Sequence, residues 1–600
     1  MSRTLELQHF IQSGKDRKAE IIGHQWDKFN HSRQPWLDEQ QEVRNFLFAT
    51  DTSTTSNSTL PWKNSTTLPK LTQIRDNLHA NYLSTIMPND RWLKWEGKGN
   101  EDSTKEKAQA IQGYMDNKLK EGEARQVISD LLLDFIDTGN AFAQPKFKEE
   151  FHVDPETDEK IPGFIGPKME RISPQDIVFD PTAATWDDTP VVIRRLLTLG
   201  DLEVLAEDYP ADEQLQDAVS RAKALRGRRS EFSEEDWRKQ EALLVDGFGS
   251  LFDYLQSGNV EVLEFQGDLY DETSETLLRN MKITVIDRAF VLSEEKLSNW
   301  FGKKEVFHVG WRSRPDNLYG MGPLNNLVGM QYRIDHLENL KADVFDLIAF
   351  PPIKIIGEVE DFDWGPLERI FINETDGDVQ MLVPDTQALN ADTQIQLLEE
   401  RMEVYAGAPR QAMGFRTPGE KTAFEVQALE QAAGRIFQEK ITLFETQLLE
   451  PTLNMMFEMA RRNMRSSDII RVMDDDFGVS QFLEVTKADI TASGKIRPIG
   501  ARHFAQNAQL VQNLQNLLGG PMAQLVQQHL STKRLASLME ELIGVQPFDL
   551  FSPNVAVEEQ AETQQLAAQA QEEIRNVQGE NVEDLQRQAA ASQGGQNNAG

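Results

Sequence analysis

The 600-residue chain contains no cysteine, which excludes disulfide staples, thiolate metal sites and cysteine nucleophiles together. It also lacks any apolar run near the ~20 residues a membrane-spanning helix needs. Its opening residues, MSRTLELQHFIQSGK, put polar groups where a secretory leader carries its apolar segment. No membrane is therefore expected among the partners, and a reducing, cytoplasmic origin is expected. Basic residues are in short supply: 62 Lys and Arg face 97 Asp and Glu, a net charge of −35. A protein that grips nucleic acid tightly has the opposite balance, because phosphate neutralisation supplies most of its affinity. The same negative surface suits a wall past which DNA slides, since it repels the duplex except where cations are placed locally.

Signatures of chemistry are equally scarce. The phosphate cradle GxxxxGK[ST] is absent; Ser493-Gly494-Lys495 imitates its end, but Asp489 stands where the first glycine belongs. HExxH, the EF-hand loop and GxSxG do not occur either. The nine histidines show no ligand spacing. His336 falls on a charged helical face and His308 in a strand, which fits solvated or core roles better than metal ligation. Asp474-Asp475-Asp476 reads as a solvated turn. No catalytic residue, metal or cofactor is expected, and no enzymatic activity.

What is present is a definite order of elements. Up to about Lys146 the pattern is helical, broken by a Ser/Thr/Asn-rich loop from Thr50 to Thr67. Leu71, Ile74, Leu78, Tyr82 and Ile86 share one face of a helix. A further helix spans Gln126 to Thr138. From Ala141 to Trp311 strand-like pieces dominate (AFAQPKF, DIVFD, PVVIRRLL, VEVLEF, MKITVID, EVFHVGW), with a charged helical stretch from Leu202 to Leu244. The turn-rich SRPDNLYGMGP, Ser313 to Pro323, marks a boundary.

Beyond it Met330, Ile334, Leu337, Lys341, Val344 and Ile348 form an a/d seam with one lysine in it. Pro351-Pro352 ends that helix at Phe350. A strand-and-turn insert follows, then a helix from Ala391 to Tyr405 and a Gly/Pro loop from Gly407 to Lys421. Thr422 and Glu425 make a capping box for a long helix that Pro451 should kink. Ala501 to Ile543 is helical, and from Ala556 the chain is Gln/Ala-rich, its last residues unable to pack a core. The fold class expected is α+β, mainly α-helical.

That order resembles the portal, or head-to-tail connector, of short-tailed bacteriophages. Three passages carry the resemblance: ERISPQDIVFDPTAATWDD; GFRTPGEKTAFEVQALEQAAGRIFQEKITLFETQLLEPTLNMMFEMARRN; and TASGKIRPIGARHFAQNAQLVQNL followed by IGVQPFDLFSPNVAVEEQ. The resemblance implies a wing over residues 1–323, a first stem helix at 324–350, a clip at 351–390 and a second stem helix at 391–406. A tunnel loop at 407–421, a long kinked wing helix and following segment at 422–500, a helical crown at 501–555 and a C-terminal extension at 556–600, disordered at its end, complete it. It further implies a homododecameric ring at the capsid vertex through which the genome is packaged and ejected. Its partners would be double-stranded DNA without sequence preference, the terminase large subunit, the major capsid protein and scaffold, and a tail adaptor. The location would be the virion, with host cytoplasm during assembly. A scaffolding or other structural phage protein without a channel is the alternative.

Residue-level expectations follow. Arg410, Phe415, Arg416 and Lys421 sit in a backbone loosened by Gly407, Gly414 and Gly419, a loop able to offer cations to phosphates without reading bases; an exposed linker paired to nearby acids is the plainer reading. Lys341 either reaches towards the channel or a neighbour's acid, or marks the seam's edge. Glu358, Glu360, Asp361, Asp363 and Trp364 form an acidic turn with an aromatic anchor, suited to docking a basic partner in the clip or to capping the insert's own small core. The seam needs a cover, which neighbouring copies or the chain's own body can supply.

Overall fold

The computed structural model describes residues 16–48, 64–87, 92–99, 105–153, 160–208, 260–271, 275–297, 302–356, 378–382, 386–406, 436–464, 468–473, 480–487 and 493–498, with isolated residues between 213 and 245 and at 299, 490 and 491. The chain divides into two compact units, Met1–Ile470 with Glu484–Arg502, and Arg471–Leu483 with His503–Gly600. The elements below belong to the first unit unless stated.

Helices and antiparallel sheets alternate, so the fold is α+β. Helices α1 (Arg17–Ser32), α2 (Gln34–Phe48) and α3 (Lys70–Ile86) come first. Strand β1 (Leu93–Gly97) and helices α4 (Lys105–Glu121) and α5 (Ala124–Asp137) follow. All five residues assigned from the sequence to one face of α3 are buried there. The expected Gln126–Thr138 helix is α5.

The strand-rich region builds two antiparallel sheets. Strands β2 (Asn140–Val153), β3 (Lys160–Ile172) and β9 (Phe307–Gly310) pair in the order β3-β2-β9. Strands β4 (Ile177–Phe179), β5 (Val191–Leu197), β6 (Val260–Asp271), β7 (Thr276–Ile286) and β8 (Phe290–Lys296) pair in chain order. Successive side chains of a strand point to opposite faces, and the VVI run of β5 fills two cores at once. Val192 joins α1 residues Ala19, Ile22 and Trp26 on one face. Val191 and Ile193 join Trp36, Phe142, Phe179 and Tyr319 on the other. A continuous apolar run is what a strand covered on both faces requires. Helix α6 (Leu199–Asp208) packs Leu202 and Ala206 against Val260, Val262 and Ile286.

The segment expected to mark a boundary is threaded through this core. Tyr319 is buried, its ring 4.3 Å from that of Phe179 and 4.9 Å from that of Trp36. The backbone of Gly320 is held by the Asn140 side chain, which accepts from its N–H at 2.7 Å and donates to its carbonyl at 3.0 Å. A Cβ on Gly320 would lie 2.5 Å from the Gly139 carbonyl oxygen, and Gly139 itself has φ +72°. Glycine is required because two backbones cross here. Turn composition alone cannot distinguish such a crossing from a surface loop, so the sequence boundary becomes a structural knot feeding directly into the next helix.

That helix, α7 (Val328–Ala349), leads to β10 (Ile353–Ile356), β11 (Asp378–Met381), a short 3-10 turn (Thr386–Ala391) and α8 (Asp392–Tyr405). A helical segment at 436–444 passes through a π-turn, Glu445–Leu449, into α9 (Glu450–Asn463). Proline cannot donate its missing N–H and crowds the carbonyl four residues back. Widening the helix just before Pro451 relieves both problems without ending it. Strands β12 (Asp468–Met473) and β13 (Ser480–Val485) form a two-stranded sheet; part of this hairpin is what is described of the second unit. Strand β14 (Gly494–Pro498) pairs antiparallel with β1, Leu93 opposite Pro498. Lys495, in the sequence that imitates a phosphate cradle, is thus a strand residue.

Candidate functional site

Helix α7 starts after the glycine knot and stops at Phe350, where Pro351 disfavours helix. Its buried residues are Val328, Gln331, Ile334, Asp335 and Asn339. Of the apolar seam read from the sequence only Ile334 is fully buried; Met330, Leu337, Lys341 and Val344 are half-buried and Ile348 is exposed. The covered stripe is polar instead. Its partner is the extended backbone that enters α3. Gln331 Oε1 accepts from Leu71 N–H at 3.1 Å, and its amide donates to the Leu68 carbonyl at 2.5 Å. Asp335 Oδ1 accepts from Leu68 N–H at 3.0 Å. Asn339 accepts from Thr66 N–H and donates to the Thr66 carbonyl, both at 2.9 Å. Asp343 Oδ1 accepts from Asn64 N–H at 3.0 Å and, at 2.7 Å, from the Asn64 side-chain amide, which also donates to Asp346 at 3.0 Å.

Two periodicities make the ladder possible. Four helical residues rise about 6.0 Å and two extended residues about 6.6 Å. Side chains at 335, 339 and 343 therefore meet residues 68, 66 and 64 in near register, and the helix serves the extended segment as a sheet edge would. Asp335 carries a cost: burial pushes its pKa up to about 7, against the hydrogen bonds from Leu68 and Gln331 that favour its charge. Its Oδ2 is buried without a hydrogen-bond partner among the described residues.

Helix α8 returns alongside. It buries Ile395, Met402 and Glu403, and Glu403 receives Lys70 in a buried ion pair at 2.7 Å. Lys341 donates to Asp392 Oδ1 at 2.7 Å and lies 3.6 Å from Glu338. The bond to Asp392 holds its ammonium pKa above the ordinary value. The acid that Lys341 meets is thus in its own chain, across the pair of helices. Between α7 and α8, β10 and β11 pair antiparallel, Ile353 opposite Met381 and Ile356 opposite Asp378.

This pair of helices and its hairpin expose apolar side chains more densely than the other described residues do. Twelve of the nineteen large apolar side chains exposed among the described residues lie between Leu340 and Tyr405. Phe350 is 78% exposed, Val404 63%, Tyr405 59% and Phe345 51%. Ile355, Ile356, Met381, Leu382 and Leu397, on and beside the hairpin and on α8, are exposed as well. Scattered exposed apolar residues are ordinary; a concentration of this kind is not.

The remaining expected site residues fall outside the described residues: Arg410, Phe415, Arg416 and Lys421, and Glu358, Glu360, Asp361, Asp363 and Trp364. So do the capping box at 422–425, the acids at 474–476, the crown and the C-terminal extension. Elsewhere a cleft of about 780 Å³ is lined by Lys303, Arg314 and Lys495 but equally by Asp187, Asp316 and Glu450, which selects for neither charge. His308 is buried, its ring 4.7 Å from that of Phe142 and Nε2 3.0 Å from Asn140 Oδ1; burial, with nearby Lys304, lowers its pKa to about 3. Among the described residues no group of His, Asp and Glu is placed to hold a metal ion, and no helix is long and apolar enough to cross a membrane. The polar stripe of α7 was invisible in the sequence because its partner is backbone, which leaves no pattern of side chains. The chain matches no protein-family model and no curated protein.

Proposed function

We propose that this chain is a ring-forming portal subunit of a tailed bacteriophage, seated at one capsid vertex. The observation that carries the reading is the apolar surface concentrated on two antiparallel helices and the hairpin between them. Apolar side chains so concentrated need a cover, and copies arranged head to tail around an axis cover one another in a closed ring. The two-helix unit would form the stem and the hairpin the clip. The negative charge of −35 suits a wall that does not hold DNA. Local contact would come from Arg410, Arg416 and Lys421, with Phe415 among them, in a sequence-independent and salt-sensitive manner. The acidic turn with Trp364 would dock the terminase large subunit during packaging and a tail adaptor afterwards. Scaffold and major capsid protein would meet the ring as the shell assembles. Energy for translocation would come from the terminase.

Native mass spectrometry of the purified chain tests the reading. A closed oligomer of one stoichiometry is expected; monomer alone, or an open ladder of sizes, would contradict it. Changing Arg410, Arg416 and Lys421 together to alanine is expected to lower packaged or retained DNA while the oligomer still forms. Unchanged genome content would remove the DNA-contact assignment and leave the ring.

A further inference from the structure

The extended segment before α3 touches both helices of the exposed unit. Its backbone at residues 64, 66, 68 and 71 is bonded by Asp343, Asn339, Asp335 and Gln331 of α7. Its next residue after the Leu-Pro step, Lys70, forms the buried pair with Glu403 of α8. The first half of α7 is fixed by buried side chains, but past Asn339 none of its residues is fully buried. That second half packs on the 3-10 turn and α8, and the contacts of Asp343 and Asp346 with Asn64, with the Lys341–Asp392 pair, tie it to the rest of the chain.

We propose that residues 64–70 are a releasable clasp, which locks α7, α8 and their hairpin into one rigid unit when seated and frees them to move together when lifted. The clasp fixes both helices, because its two ends address different ones. It is releasable because almost no apolar surface holds it. Ser65, Thr66 and Pro69 are exposed, Leu68 is only half-buried and the buried Thr67 and Lys70 are polar, so hydrogen bonds and the Lys70–Glu403 pair carry the attachment. Each such bond contributes modestly, since water replaces it when the strap lifts. The apolar cores of the sheets cost far more to open, so the clasp belongs to the part of the molecule that opens first. The charge of a buried Asp335 weakens the seated state further. The clasp lies within one copy of the chain, so it stands or falls independently of ring formation.

Hydrogen exchange read by mass spectrometry on the full chain tests it. Asn339→Ala removes one acceptor and one donor facing Thr66. Exchange of the amides at 64–71 is expected to rise by about tenfold or more, and exchange across α8 is expected to rise with it. The chain has no cysteine, so Asn64→Cys with Asp343→Cys introduces a single disulfide that should reverse both changes in the Asn339→Ala background. A rise confined to 64–71, or no rise, overturns the proposal. Should Asn339→Ala fail to fold, the unaltered protein serves: in low denaturant the amides of Thr66, Leu68 and Leu71 and those of α8 should open with one common denaturant dependence. Separate dependences overturn the clasp.

Discussion

Replacing Phe345 and Phe350 with serine is the sharpest perturbation of the exposed unit. Phe350 is 78% exposed and Phe345 51% exposed in the isolated chain. Full burial of a phenylalanine stabilises by roughly 1.5–3 kcal/mol. Covering the exposed fractions would then contribute roughly 1–2 kcal/mol at Phe350 and about 1 kcal/mol at Phe345. The double change should cost each contact between copies roughly 2–3 kcal/mol, a weakening of roughly 30- to 150-fold. Every copy in a closed ring makes that contact twice, so the loss compounds. Sedimentation velocity at micromolar protein should show the wild-type assembly giving way to smaller species. The single chain should melt within a few degrees of wild type, because both rings already face solvent and their loss opens no cavity. Ile334→Ser, at a fully buried position of the same helix, should instead lower the melting temperature sharply. An unchanged assembly in the Phe345→Ser/Phe350→Ser variant would refute the assignment of this surface to self-association.

Two further outcomes are expected from the geometry. Asp335 has a pKa raised to about 7 from an ordinary 3.8, so its contribution favours the fold at acid pH and is lost as pH rises from about 4 to about 7. Asp335→Asn keeps an acceptor for Leu68 N–H without the charge, so it should flatten that dependence and raise stability at pH 8 by up to roughly 4 kcal/mol; urea titrations at pH 5 and pH 8 that show the same difference between variant and wild type would count against it. Gly320→Ala should destabilise by roughly 2–5 kcal/mol, since its methyl group would press on the Gly139 carbonyl and the Gly310 backbone; a thermal midpoint equal to wild type would deny that the two backbones cross so closely.

Legibility in the sequence followed the range of the interaction. Helix α3 was readable to the residue, because one apolar stripe against one core leaves a clean 3.6-residue period. The β5 run was readable as a strand for another reason: a short continuous apolar run suits a strand covered on both faces. Pairing of β1 with β14 was not, since Leu93 and Pro498 share no local pattern that could announce each other. In α7 periodicity misled. The seam through Met330, Ile334 and Leu337 is present, yet of those three only Ile334 has no exposure, and it shares that with Gln331, Asp335 and Asn339. Polar residues at four-residue spacing read as a solvated face unless an extended backbone is known to need partners. At Gly320 the turn residues read as a boundary also serve close backbone approach inside a core, which composition alone does not announce.

Negative-stain images of the purified protein test the central claim most directly. Closed rings of uniform diameter with an axial hole wide enough for a DNA duplex are the expected result. Solid particles without an opening, or single chains at every concentration, would contradict it.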